Sequence, residues 1–199
     1  MKYCQINEQD IIDSYFADNS PVNNVVVDIG AGDGYVLSNT RHLINAGWNG
    51  ILIDGDPRGN NEVHKALINT TNVNELLHNL NCPTNPAFLS LDLDGNDYWI
   101  IKTILEQFTP QLICVEYNPS HSPEPVTIKY NESHRWDNTD YYGATPEAWM
   151  KLMATNQYSL CGQNSLNLFF SKDGVDMPLM TKRSQHHPMD KLNRPWVQV

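Results

Sequence analysis

A chain of 199 residues, 40% of them hydrophobic and 10% aromatic, has apolar material for one well-packed domain and too little length for two full ones. A formal charge of −10, with 13 Lys and Arg against 23 Asp and Glu, excludes a surface built for phosphate backbones, so no nucleic-acid partner is expected; a small-molecule or glycan substrate is. Cys4, Cys82, Cys114 and Cys161 show no Cys-x-x-Cys spacing, and no apolar run reaches the length of a signal-peptide core or a membrane span, which predicts reduced thiols in a cytoplasmic chain with no membrane partner.

Residues 7–17 predict a helix, with Ile11, Ile12, Tyr15 and Phe16 as its apolar stripe, lying over a sheet edge or over a pocket. The β-branched run Val25 to Ile29 is too short for a globular helix and predicts a buried strand. It breaks at Gly30, Gly32 and Gly34. From Tyr35 the spacing of Val36, Leu37, Thr40, Leu43 and Ile44 predicts a helix ending at Gly47. In a parallel sheet such a strand, turn and helix bind a ligand at the strand's carboxyl end. A dinucleotide site uses Gly-x-Gly-x-x-Gly, whereas the spacing here is Gly-x-Gly-x-Gly with acids at Asp28 and Asp33, which repel phosphate and suit an ammonium group. That favours S-adenosylmethionine (SAM), with Asp28, Gly30, Ala31 and Gly32 at its methionine end. The plainer alternative, a structural turn, needs neither three glycines nor the acids.

Gly50 to Asp56 predicts a second strand, and Asp54, 20 residues after Gly34, is placed to accept hydrogen bonds from a ribose diol. Asn60 to Ile68 predicts a weak helix, and Glu75 to Leu80 another, leaving the third strand short or irregular, with Asn72 and Val73 near the adenine. Ala87 to Asp94 alternates, with Ser90, Asp92 and Asp94 on the face opposite Leu89, Leu91 and Leu93. Paired carboxylates at a strand tip repel each other unless a proton, cation or donor lies between them, which makes Asp92 and Asp94 pocket candidates. Asn96 or Asp97 then caps a helix with Ile100, Ile101, Ile104, Leu105 and Phe108 on its core face. Gln111 to Asn118 is a further strand ending in Glu116 and Asn118.

The stretches Phe88-Leu-Ser-Leu-Asp-Leu-Asp-Gly-Asn-Asp-Tyr-Trp99, Val115-Glu-Tyr-Asn-Pro119 and Tyr142-Gly-Ala144 together resemble FkbM-type methyltransferases, over about Val25 to Phe170. The glycine turn departs from that family in carrying Gly32 where asparagine is common. The resemblance implies an α/β, Rossmann-like class I methyltransferase fold, mostly parallel with a C-terminal antiparallel hairpin. The local pattern agrees: Tyr158 to Gly162 and Leu166 to Ser171 predict two strands joined by a turn, after a helix opened by Thr145-Pro146 and packed through Ala148, Trp149, Leu152 and Met153.

Residues 120–144 form a long polar and aromatic insertion, expected as a lid, with His121 closest in sequence to a strand tip and His134 the weaker candidate. One SAM-binding domain, 1–171, and a surface tail, 172–199, are expected; His186 and His187 in the tail lack the companions of a metal site. The expected reaction is SAM-dependent O-methylation of a hydroxyl on a sugar or small metabolite, with Asp94, Glu116 or His121 managing the acceptor's proton. A divalent metal such as Mg²⁺ at the acidic edge is the less favoured version. Two alternatives stay open: a scaffold that binds SAM without turnover, and an enzyme that uses SAM in another reaction.

Overall fold

In a computed structural model, residues 2–172, 177–180 and 187–199 are described. His186 lies outside them. Five parallel strands, β1 (Val25–Ile29), β2 (Asn49–Asp54), β3 (Val63–Lys65), β4 (Phe88–Leu91) and β5 (Leu112–Glu116), build most of one sheet. A short pair, β6 (Val126–Ile128) with a later strand, stands apart from it. The main sheet closes with the hairpin of β7 (Ser159–Gln163) and β8 (Asn167–Ser171), giving the order β3-β2-β1-β4-β5-β8-β7 with β8 antiparallel to both neighbours. This is the α/β arrangement expected, including its antiparallel end.

Burial on both faces explains why the central strands read as continuous apolar runs. One face packs Val27, Ile29, Leu89 and Leu91 against Leu77 of α3 (Val73–Asn79), Ile100 and Ile104 of α4 (Asp97–Ile104), and Trp149 and Met153 of α5 (Pro146–Thr155). The other packs Val26, Phe88, Cys114 and Phe169 against Ile12 and Tyr15 of α1 (Glu8–Asp18) and Leu43 of α2 (Arg41–Asn45). Asp28 and Ser90 alternate onto this second face. All four cysteines are free. Among the described residues no helix is long and apolar enough to cross a membrane.

Two predicted helices differ. Residues 35–40 form a loop, because Asp33 Oδ1 accepts the Tyr35 and Val36 N–H groups at 2.9 and 2.8 Å and Leu37 takes φ +59°. Val36 and Leu37, whose spacing suggested a buried face, are 61% and 58% exposed, and the helix begins only at Arg41. Residues 60–68 contain the edge strand β3 instead of a helix, with Val63 buried against Leu52 and Ala31.

The expected surface tail, where it is described, lies at the surface but is tied to the insertion. Its end forms β9 (Trp196–Gln198), antiparallel to β6 inside the insertion. Asp140 N donates to Pro188 O at 2.9 Å, and Arg194 pairs with Asp137 and Asp190 at 2.8 and 3.1 Å. Insertion and C-terminal segment are thus one packed unit.

Glu8 anchors α1 to the end of the sheet. Fully buried, it accepts from Ile6 N at 2.8 Å, from Asn164 Nδ2 at 2.8 Å and from Asn167 Nδ2 at 3.0 Å. Burial opposes its ionisation, but these donors outweigh burial and hold its pKa below the usual 4.5. The stability it contributes is therefore present above pH 4.5 and lost as pH falls through the lowered value. Glu8→Ala should lower the unfolding free energy by about 1.5–3 kcal/mol in urea titrations at pH 7, a difference that narrows in acid.

Candidate functional site

The chain passes from β1 to β2 on one side while β4 lies on the other, so the carboxyl ends of β1 and β4 flank the point where the strand order reverses and a crevice opens. The cleft there has a volume of ≈ 530 Å³. Asp28, Gly30, Ala31, Gly32, Asp54, Asp92 and Asp94 all stand on its walls, as the sequence suggests. Asn72, Val73, Glu116 and His121 do not.

The turn after β1 is forced to be glycine. Gly30 has φ +87°, and a Cβ there would fall 1.7 Å from the carbonyl oxygen of Asp92. Gly32, at φ +56°, differs: a Cβ there would meet nothing within 4 Å, so its backbone faces open cleft. Asp54 ties the turn to β2, its Oδ2 accepting from Gly32 N at 2.8 Å and its Oδ1 from Asp56 N at 2.6 Å. Each oxygen keeps a lone pair for a ligand hydroxyl. Asp28 is 5% exposed at the cleft's base, with Thr40 Oγ1 donating at 2.7 Å and Ser38 Oγ at 3.3 Å. Burial pushes its pKa up to about 6 against those hydrogen bonds, with the charge of Asp54 adding to the rise.

Beyond β4 and β5 the acids crowd. Carboxylate oxygens of Asp92, Asp94 and Glu116 lie within 4.8 Å of one another. Asp92 and Asp94 open onto the cleft, Glu116 is half-buried behind them, and protein surrounds all three on the remaining sides. That burial raises all three pKa values, and for Asp92 and Glu116 the neighbouring carboxylates raise them further. Oxygen-only ligands so disposed suit either shared protons or a hard divalent cation.

Asp97 does something the capping expectation missed. Its Oδ1 and Oδ2 accept from Leu93 N and Gly95 N, both at 2.7 Å, pinning the turn that presents Asp94 at φ +53°. Burial pushes Asp97 up to about 6 despite these donors. Asn118, at the end of the strand predicted over 111–118, is fully buried and secures the insertion, donating to the carbonyls of Asp140 and Tyr142 at 2.8 Å each.

His121 is corrected as a site residue: it is exposed on a 3₁₀ turn, its ring 4.3 Å from that of Trp196. The imidazole at the cleft is His134, flanked there by Arg135 and Trp136. Its ring packs on Gly95, where a Cβ would crowd it, with Nε2 buried and unpartnered; burial lowers its pKa. In place of Asn72 and Val73, the apolar wall is Ala66, Leu67 and Ile68 following β3. Val73 lies in the core, and Asn72 spends its side chain on Asn69 N and Leu67 O. Ser38 and Asn39 complete the base, Asn39 Nδ2 donating to Ser90 Oγ at 3.1 Å.

Strand order, glycine turn and cleft define a class I methyltransferase fold, and comparison with solved structures agrees. The chain is similar to magnesium protoporphyrin IX methyltransferase from Synechocystis PCC 6803 with bound SAH, at 12% identity over 84% of each chain with a TM-score of 0.52. It is also similar to a S-adenosylmethionine-dependent methyltransferase from Clostridium acetobutylicum ATCC 824, at 12% identity over 87% of this chain and 93% of the other, with a TM-score of 0.50. No family model and no curated protein gives a match.

Asp28 and Asp97 hold their protons more tightly in the folded chain than in the unfolded one. The stability each contributes is therefore complete below pH 3.8 and lost as pH rises through about 6. Asp28→Asn keeps an oxygen for Thr40 and Ser38 and removes the ionisation. It should be more stable than the parent at pH 7, by up to about 3 kcal/mol, with the gap closing near pH 4. Urea unfolding at the two pH values measures this; a variant weaker at pH 7 would mean that Asp28 is held ionised.

Proposed function

We propose that the chain is a SAM-dependent methyltransferase acting on a hydroxyl of a sugar or small metabolite, the activity that its FkbM-like motifs imply. The observation that carries this reading is the joining, in one cleft, of the open glycine turn at Gly32 with the carboxylates of Asp92 and Asp94. An acidic cleft suits a sulfonium and an ammonium group and disfavours a nucleotide's phosphates. The fold's likeness to one solved with SAH bound supports the same ligand. Bound there, SAM supplies an electrophilic methyl group.

The chain's own residues supply position and a proton acceptor. Gly30, Ala31 and Gly32 offer backbone to the methionine end beside Asp28, Asp54 uses its remaining lone pairs on the ribose, and Ala66, Leu67 and Ile68 offer apolar surface to the adenine. Methyl transfer to a hydroxyl needs a base for the departing proton. Asp94 fills that role at the cleft, and Glu116 behind it can share the proton, because the raised pKa that burial gives each brings it closer to the working pH and makes it a better acceptor than a free carboxylate. We favour the metal-free version, in which the acids share protons, and a cytoplasmic setting in which the free thiols persist.

Incubation with SAM and a panel of hydroxylated sugars and metabolites, read by SAH release, tests the reading. Asp94→Asn and Glu116→Gln should cut turnover by at least about tenfold, a far larger loss than in SAM affinity; full activity in both removes the acidic edge from the mechanism. Asp54→Ala should instead weaken SAM binding by about 1.5–3 kcal/mol. Activity lost to EDTA and restored by Mg²⁺ would overturn the metal-free choice, and SAM binding without turnover on any acceptor would make the chain a binding protein.

A further inference from the structure

A second cavity, of ≈ 580 Å³, opens beside the first between the insertion and the C-terminal segment. The two share His134 and Arg135, so they adjoin at these residues. The linings differ in charge. The first cavity carries Asp28, Asp54, Asp92, Asp94 and Glu132 against two cations, Arg58 and the shared Arg135, so acids predominate there. Among the described residues the second is lined by Lys129, Arg135 and Arg194 and by no carboxylate, in a chain whose net charge is −10.

The cations are not equivalent. Arg194 is a structural member: Nη2 is held by Asp137 and Asp190 at 2.8 and 3.1 Å, and its guanidinium lies over the Tyr141 ring at 4.3 Å. Its Nε is buried without a partner. Lys129 and Arg135 are exposed, and among the described residues neither has a carboxylate in ion-pairing range. Tyr130, half-buried, provides aromatic surface beside them, while Tyr141 is buried beneath Arg194. Two unpaired cations beside an aromatic wall in an acidic protein repel cationic ligands and leave positive charge unanswered, and the cavity that holds them abuts the cleft proposed for the methyl donor.

We propose that this second cavity is the acceptor subsite and that the acceptor carries an anionic group, a carboxylate or a phosphate, held by Lys129 and Arg135 with its ring against Tyr130. This deepens the methyltransferase reading by giving the substrate its charge class. It also divides the labour by charge: the acidic cleft takes the cationic donor, the basic cavity takes the anionic acceptor, and the opposite fields keep each ligand out of the other's place.

Binding to the full-length chain separates this proposal from the activity it rests on. Ligand-observed NMR with glucuronate, glucose 6-phosphate and neutral glucose, each with and without SAH, should show both anions bound and glucose at least about tenfold weaker. The two anions distinguish carboxylate from phosphate recognition. Lys129→Gln should weaken the preferred anion severalfold and Lys129→Glu should abolish it, while SAH affinity stays unchanged, since Lys129 lines only the second cavity. Failure of both anions to bind, glucose binding as well as they do, or anion binding indifferent to Lys129→Glu would overturn the subsite. Anion binding that follows Lys129 in a chain that binds no SAH would instead keep the subsite and reject the methyltransferase reading.

Discussion

The backbone after β1 passes so close to the end of β4 that only glycine fits: at Gly30 a side chain would collide with the Asp92 carbonyl. That contact brings together two features 60 residues apart in the chain, the turn over which a cofactor can lie and the loop that carries the acids. Were the strands to separate enough to admit a Cβ, Asp92 N would lose its 3.0 Å bond to Ile29 O and the cleft its base. The parallel pairing of β1 with β4 sets the position. Asp54, reaching from β2 to Gly32 N, and Asp97, gripping Leu93 N and Gly95 N, then fix the two loops. The site is preorganised by carboxylates that act on backbone N–H groups.

Five carboxylates in and beside the cleft make the site electrostatically strained. Asp28, Asp92, Asp94, Asp97 and Glu116 all have raised pKa values, burial being the first cause in each. Isolated buried charges cost free energy that the fold recovers only through protons, hydrogen bonds or a cationic ligand. An acidic cleft that destabilises the empty protein near neutral pH is one that a positively charged ligand stabilises, so strain and binding are two sides of one arrangement. The basic cavity that adjoins the cleft at His134 and Arg135 completes the pattern.

Much of this was legible in the sequence where burial imposes a pattern. β1, β4 and β5 announce themselves as apolar runs bounded by Gly and Pro, and the polar residues at the carboxyl ends of β1 and β4 mark the cleft. Features set by side chains far apart in sequence were not legible. Val36 and Leu37 have helical spacing, yet the Asp33 side chain turns the backbone before a helix can start. β3 is three residues long and exists through pairing with β2, a contact no local pattern records. His121 is nearest a strand tip along the chain, whereas His134 is nearest in space, because the hydrogen bonds of Asn118 and the bond from Gly143 N to Gly95 O fold the insertion back over the cleft. The pairing of β9 with β6 was hidden for the same reason.

The central claim is that the glycine turn and the acids beside it form a SAM site. Calorimetric titration of the wild-type chain and of Gly32→Val with SAH addresses it most directly, because valine at this left-handed position would project into the open cleft. The account predicts one SAH bound per wild-type chain and none by a Gly32→Val variant that still unfolds cooperatively. Absence of binding by the wild type, or equal binding by both, would contradict it.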